Sequence, residues 1–162
     1  MSAYQIRGAT FDDADALVRH RTRMFADMGV PMDTAAVEQA FRRWLATSMA
    51  SGVYRAWLIQ TNAGDVVAGG GITVLPWPPG PRDFGDRLAF VYNVYTEPAH
   101  RRRGLARMIM DVIHAWCREA GVSSVGLNAS QDGQPLYESM GYFVSPNPLM
   151  FLRLDLNPDR RP

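Results

Sequence analysis

The stretch from Arg87 to Trp116 restricts the fold more than any other part of the chain. Arg87 to Thr96 (RLAFVYNVYT) has the β-branched and aromatic content of a strand, and Glu97-Pro98 breaks it. Leu105, Met108, Ile109, Val112, Ile113 and Trp116 then recur at helical spacing, while Arg103, Arg107, Asp111, His114 and Arg118 fall largely on the other face. A strand that feeds an amphipathic helix needs a sheet for that helix to cover, so the architecture mixes helix and strand around one sheet.

The flanking elements agree. Tyr4 to Arg7 alternates, and Thr10, Asp12 and Asp13 supply caps and negative charge for a helix start. Leu17, Val18, Arg21, Met24, Phe25 and Met28 follow at helical spacing until Gly29 and Pro31. A second helix begins near Asp33 or Thr34, with Val37, Phe41, Trp44 and Leu45 as its buried stripe, and stops at Ser51-Gly52. Tyr54 to Thr61 and Val66 to Leu75, joined by Asn62-Ala63-Gly64-Asp65, read as an antiparallel hairpin. Pro76 to Asp86 holds four prolines and two glycines and must be a loop. After the central helix, Gly121 is a stop, Ser124 to Asn128 a short buried strand, Gln134 to Met140 a short helix closed by Gly141, and Met150 to Leu156 a final strand. The length, 162 residues, suits one domain over 1–162, with 156–162 a frayed tail.

Charge and composition remove several function classes. With 17 basic and 16 acidic residues the chain lacks the excess needed to neutralise many phosphates, so no nucleic-acid partner is expected. Every basic residue is Arg and none is Lys, which excludes a Schiff-base lysine and a P-loop lysine. The single cysteine, Cys117, cannot form an internal disulfide and reads as a small core residue; His20, His100 and His114 lack metal-ligand spacing, so no metal is expected. No apolar run spans a bilayer and no signal sequence opens the chain, so the expected location is cytoplasmic, with no membrane partner.

The chemistry concentrates in Val94-Tyr95-Thr96-Glu97-Pro98-Ala99-His100-Arg101-Arg102-Arg103-Gly104-Leu105-Ala106. A helix start presents unpaired amides and a positive dipole to an anion; Gly104 lets the backbone approach it, and Arg101, Arg102 and Arg103 add charge at the rim. A diphosphate suits that arrangement. Gly69-Gly70-Gly71, in contrast, lies inside an apolar strand pattern, where a bulge or a close backbone approach is the commoner meaning.

Arg101, Gly104 and Ala106 fill the positions of the acetyl-CoA-binding motif Gln/Arg-x-x-Gly-x-Gly/Ala, and Leu136-Tyr137-Glu138-Ser139-Met140-Gly141-Tyr142 matches a second signature, Leu-Tyr-x-x-x-Gly-Phe/Tyr. Together, in order and on the expected elements, they resemble the GNAT superfamily of N-acetyltransferases over about residues 4 to 155. The resemblance implies an α/β (α+β) fold with a mixed, mostly antiparallel sheet, splayed strands and about four helices. It implies acetyl-CoA as co-substrate, with Val94, Tyr95 and Thr96 holding the acetyl and pantetheine groups and Arg101, Arg102, Arg103, Gly104, Leu105 and Ala106 around the diphosphate. Ser130 falls where many members carry a cofactor-contacting Asn, and Gly133 where many carry Ala.

The same resemblance makes Tyr137 the general acid toward the leaving thiolate. Glu97 is the candidate base, and Met24, Phe25, Met28 and Trp77 are candidate walls of an acceptor pocket. The acceptor class is a primary amine of a small molecule or a peptide terminus, attacked directly without an acyl-enzyme. The competing reading is a non-catalytic acyl-CoA-binding module. Exposed strand edges are compatible with a homodimer.

Overall fold

The protein is described by a computed structural model covering residues 3–147 and 149–154. Strand β1 (Tyr4–Gly8) leads through a short 3-10 turn (Phe11–Asp13) into α1 (Ala14–Asp27), followed by α2 (Thr34–Ala50). Strands β2 (Tyr54–Thr61), β3 (Val66–Pro76) and β4 (Arg87–Thr96) come next, then a 3-10 turn (Pro98–His100), α3 (Leu105–Glu119), β5 (Ser124–Leu127) and α4 (Gln134–Ser139). The five strands form one sheet in chain order. β1 to β4 are antiparallel, and only β4 and β5 are parallel.

Local chemistry sets the helix starts. The Arg7 guanidinium grips Asp13 through two bonds of 2.8 and 2.7 Å, and Asp13 Oδ2 accepts the Thr10 amide at 2.9 Å, which pins the turn ahead of α1. Asp33 caps α2 by accepting the Ala36 amide at 3.0 Å. The sheet separates two cores. On one face Ile59, Ala68, Ile72, Ala89 and Val91 meet Leu105, Ile109, Met110 and Ile113 of α3; the smaller cluster joins Leu17 and Val18 of α1, Phe41 and Leu45 of α2, and Tyr54 and Leu58 of β2. Truncating Ile109, which has no exposed surface, to Ala would cost about 3 kcal/mol. Cys117 is buried, as its neighbours suggested.

The triple glycine is a close-approach site. A Cβ on Gly70 would stand 2.7 Å from Ile109 Cγ2, and one on Gly71 would overlap the Tyr54 hydroxyl. Glycine lets α3 press against one side of β3 and the Tyr54 ring against it as well.

Three expectations need correction. Leu149 to Leu154 forms no strand: β5 is the edge of the sheet, and Met150, Phe151, Leu152 and Leu154 are exposed. An apolar pattern records what a segment could bury, but a strand also needs a ladder partner, and this one has none among the described residues. Asp155, Leu156 and the tail lie outside those residues. For the same reason β5 is half-buried, not buried. Trp44 keeps 39 % of its surface exposed, stacked on Phe41 at 5.6 Å, because α2 has no layer beyond it.

His20, which the sequence left without a role, is buried in α1 at 1 % exposure with neither ring nitrogen hydrogen-bonded. Its Nε2 is 3.7 Å from Glu97 Oε1, yet burial, reinforced by Arg19 and Arg23, outweighs that carboxylate and lowers its pKa from 6.5 to about 4. The unfolded chain therefore takes up a proton as pH falls through 6.5, and the folded chain resists until about 4. Stability is lost across that window, approaching about 3 kcal/mol below it. His20→Leu should flatten the fall of Tm between pH 7 and pH 4.5 relative to the unsubstituted protein. Parallel curves would show that His20 does not titrate on unfolding.

Candidate active site

The site grows from an irregularity in β4. Gly69 of β3 faces Tyr95 and Gly71 faces Tyr92, so β4 carries one extra residue at this point. Asn93, within the bulge, takes φ of 57°, a left-handed conformation that Asn tolerates better than most side chains. Its buried amide is held at both ends: Nδ2 donates to the Tyr54 hydroxyl at 3.2 Å, and Oδ1 accepts from Arg21 Nη1 at 2.5 Å. Burial pushes the Tyr54 pKa up to about 12, so that hydroxyl stays neutral.

Beyond the bulge the sheet opens. β4 and β5 pair only from Leu88 with Ser124 to Val91 with Leu127. After that the strands diverge, and a cleft of about 950 Å³ lies between Tyr92–Thr96 on one side and Leu127–Asp132 on the other. Backbone groups on the β5 side of Val94, Tyr95 and Thr96 are thereby freed from the ladder. Met24 and Phe25 of α1 and its C-cap residue Met28 line one part of the cleft, and Tyr137 of α4 and Ser130 line another.

The helix start next to the cleft has the geometry of an anion cradle. Arg102 is left-handed at φ 59°, and Gly104, the N-cap of α3, at φ 79°. The helix's first backward bond runs from the Met108 amide to the Gly104 carbonyl at 3.0 Å, so the first-turn amides before it point off the helix end. A Cβ at Gly104 would meet nothing within 4 Å. The glycine is therefore required by its backbone angle, and the space above it is open.

Of the arginines at the rim, Arg101 turns inward. Its Nε donates to the Thr96 carbonyl at 2.9 Å, it pairs with Asp27, and it lies over the Tyr95 ring at 5.6 Å. Arg103 donates to the Tyr4 hydroxyl at 3.2 Å. Tyr137 packs edge-on against Tyr142 at 5.8 Å, and its hydroxyl has no hydrogen-bond partner among the described residues. Burial raises the Tyr137 pKa, which keeps the phenol protonated. Ser130 Oγ accepts the Gly133 amide at 3.2 Å and so helps to start α4.

Two expected site residues are not brought into the cleft. Glu97 is held by Arg23 at 2.5 Å and Arg19 at 3.3 Å; its carboxylate ties α1 to the end of β4, and a base needs free lone pairs. Trp77, 50 % exposed, sits at the opposite end of β4, where Pro76 pairs with Arg87, six residues or roughly 20 Å of strand from Asn93. Two residues that sequence reasoning passed over do belong to the site. Arg21 falls within the apolar stripe of α1, and a charge at such a position is the signal that could have marked it. Asn93, a polar residue amid Phe90-Val91-Tyr92 and Val94-Tyr95, is the other.

The comparisons agree with this geometry. The model of the acetyltransferase (GNAT) family matches residues 19–142, and the chain belongs to that family. A GCN5-related N-acetyltransferase from Ralstonia eutropha is similar at 32% identity and a TM-score of 0.85, over 92% of this chain and 98% of that one. A predicted acetyltransferase from Clostridium acetobutylicum, solved with acetyl-CoA, is 25% identical with a TM-score of 0.81, over 94% and 96%. A ribosomal-protein-alanine N-acetyltransferase from Brucella melitensis shares the fold at 21% identity and a TM-score of 0.68, over 94% and 100%. No curated protein matches the chain. Among the described residues no helix is long and apolar enough to cross a membrane, and no group of metal-ligating side chains forms.

Glu97→Gln should lower Tm by a few degrees through loss of the α1–β4 tie. Trp77→Ala should leave Tm within about a degree, since nothing in the cleft rests on it. A Tm unchanged in Glu97→Gln would show that the two ion pairs contribute nothing.

Proposed function

We propose that the protein transfers an acetyl group from acetyl-CoA to the primary amine of a small molecule or peptide terminus. The observation that carries this reading is the alignment of three features: the freed edge of β4 after the bulge, the left-handed helix start at Gly104, and Tyr137 across the cleft. The open space above Gly104 and the first-turn amides of α3 suit a diphosphate, with Arg102 and Arg103 nearby. The thioester would then lie along Val94 to Thr96, where backbone amides can meet the oxygen that becomes negative during attack.

Glu97, just after β4, and Asp27, the last residue of α1, are engaged by arginines, so neither is free to take a proton from the amine, which enters the reaction neutral. Its nitrogen bonds to the carbonyl carbon, the carbon–sulfur bond breaks, and the excess proton of the new amide goes to water. Tyr137 donates its phenolic proton to the departing sulfur and regains one from solvent. No enzyme nucleophile is needed. The alternative, an acyl-CoA-binding module without turnover, is less well supported, because Tyr137 faces a cleft that also has acceptor walls. A cytoplasmic location fits the same reading.

Saturating acetyl-CoA should raise Tm, with NAD and ATP doing much less. Gly104→Glu, which forces a side chain into a left-handed position and adds negative charge, should abolish the shift. No shift in the unsubstituted protein would remove the cofactor assignment. Tyr137→Phe should keep the acetyl-CoA shift while turnover falls by on the order of a hundredfold, measured by thiol release. An unchanged rate would leave Tyr137 as packing only.

A further inference from the structure

Arg21 is the charged group in the cleft whose position the proposed reaction does not explain. It projects from α1 toward the bulge, half-buried, with its guanidinium carbon 4.8 Å from the centres of both the Phe25 and Phe41 rings. Among the described residues its one side-chain hydrogen bond is from Nη1 to Asn93 Oδ1, a neutral acceptor. Among the described residues it makes no salt bridge, whereas six other arginines do. The acids that line the cleft are Asp27, paired with Arg101, and Asp132; Arg153 adds a further positive charge. Burial lowers the Arg21 pKa from 12.5, yet the group stays charged at neutral pH.

A half-buried guanidinium without a counter-charge, holding unused donors in a planar fork, is built for an oxyanion. Its position identifies whose. Asn93, the residue it touches, immediately precedes Val94, where the thioester would lie, while the diphosphate cradle belongs to α3, which the chain reaches only after Thr96, on the other side of Val94. An anion on Arg21 is therefore on the acceptor side, within the span of one small molecule from the reacting carbonyl. Met24, Phe25 and Met28 surround the remaining space with apolar surface.

We propose that Arg21 binds the carboxylate of the acceptor, and that the acceptor is a free amino acid with an apolar side chain. The inference rests on the acetyl-transfer reading and refines it. An α-amino acid carries its amine one carbon away from its carboxylate, so a carboxylate on Arg21 directs the amine toward Val94. Polyamines and aminoglycosides bring positive charge to a guanidinium, and a peptide N-terminus has an amide where the carboxylate is needed. Both classes are disfavoured.

The test is thiol release from acetyl-CoA with methionine, leucine and phenylalanine, each beside its carboxamide and its decarboxylated amine, with spermidine, an aminoglycoside and a tripeptide as further arms. The acids should exceed their amides in kcat/KM by roughly 30-fold or more, the range of a charge-assisted fork. Arg21→Gln should erase that ratio while retaining the acetyl-CoA shift in Tm. Were Arg21 only a support for the bulge, acid and amide would fall by the same factor. Equal or faster turnover of the amides, the spermidine or the tripeptide, or turnover of no acid, overturns the proposal even with acetyl-CoA bound. Absence of acetyl-CoA binding instead defeats the reading on which it rests. If Arg21→Gln does not fold, the comparison of acids with amides in the unsubstituted protein still decides.

Discussion

One extra residue in β4 governs the arrangement of the site. Opposite Gly70 the antiparallel ladder slips, and Asn93 takes up the slack in a conformation that few side chains accept. Left unsupported, such a bulge would be an unfavourable interruption of the sheet. Here the Asn93 amide is clamped between the Tyr54 hydroxyl and the Arg21 guanidinium, and Gly71 leaves the room that the Tyr54 ring occupies. β2, β3, β4 and α1 thus all contribute to one backbone distortion. Its effect is geometric: beyond Val91 the chain no longer lies beside β5, and the sheet has an internal cleft.

The helix start completes that arrangement. Arg101 bonds the Thr96 carbonyl and pairs with Asp27, so the segment between β4 and α3 is fastened at the point where the strand ends. The first-turn amides of α3 are left facing outward over Gly104, whose open surroundings contrast with the crowded ones of the packing glycines of β3. The same residue type serves opposite needs in the two places. At Gly70 it admits a neighbouring side chain; at Gly104 it permits a backbone angle.

Much of this was legible in the sequence because it depends on short-range rules. Helical spacing marked α1, α2 and α3, turn chemistry marked the β2–β3 hairpin, and the two signatures around Arg101–Ala106 and Leu136–Tyr142 fall at the start of α3 and along α4. The failures share a cause: each depended on a partner distant in the chain. Glu97 looked available until Arg19 and Arg23 were found around it, and Trp77 looked like a wall until the β3–β4 register put its loop at the far end of the sheet. Met150 to Leu154, the described part of the expected last strand, had the composition of a strand but no ladder to join among the described residues. Arg21 was visible in the apolar stripe of α1, but its significance came only from its making no ion pair among the described residues.

The two sides of the cleft are held by different kinds of contact. The α1–β4 side is cross-braced along its length by Arg21 to Asn93, by Arg19 and Arg23 to Glu97, and by Asp27 to Arg101. The opposing side, from Leu127 through α4, is joined to β4 by a four-residue parallel ladder and to α3 by the bonds from Arg107 to Ser139 at 2.6 Å and between His114 and Tyr142 at 2.8 Å, with Tyr137, Met140 and Tyr142 packed on the core beneath α3. One side of the cleft is thus braced chiefly by charge and the other chiefly by apolar packing. Salt therefore acts first on the side that carries α1, and loss of apolar packing first on the side that carries Tyr137.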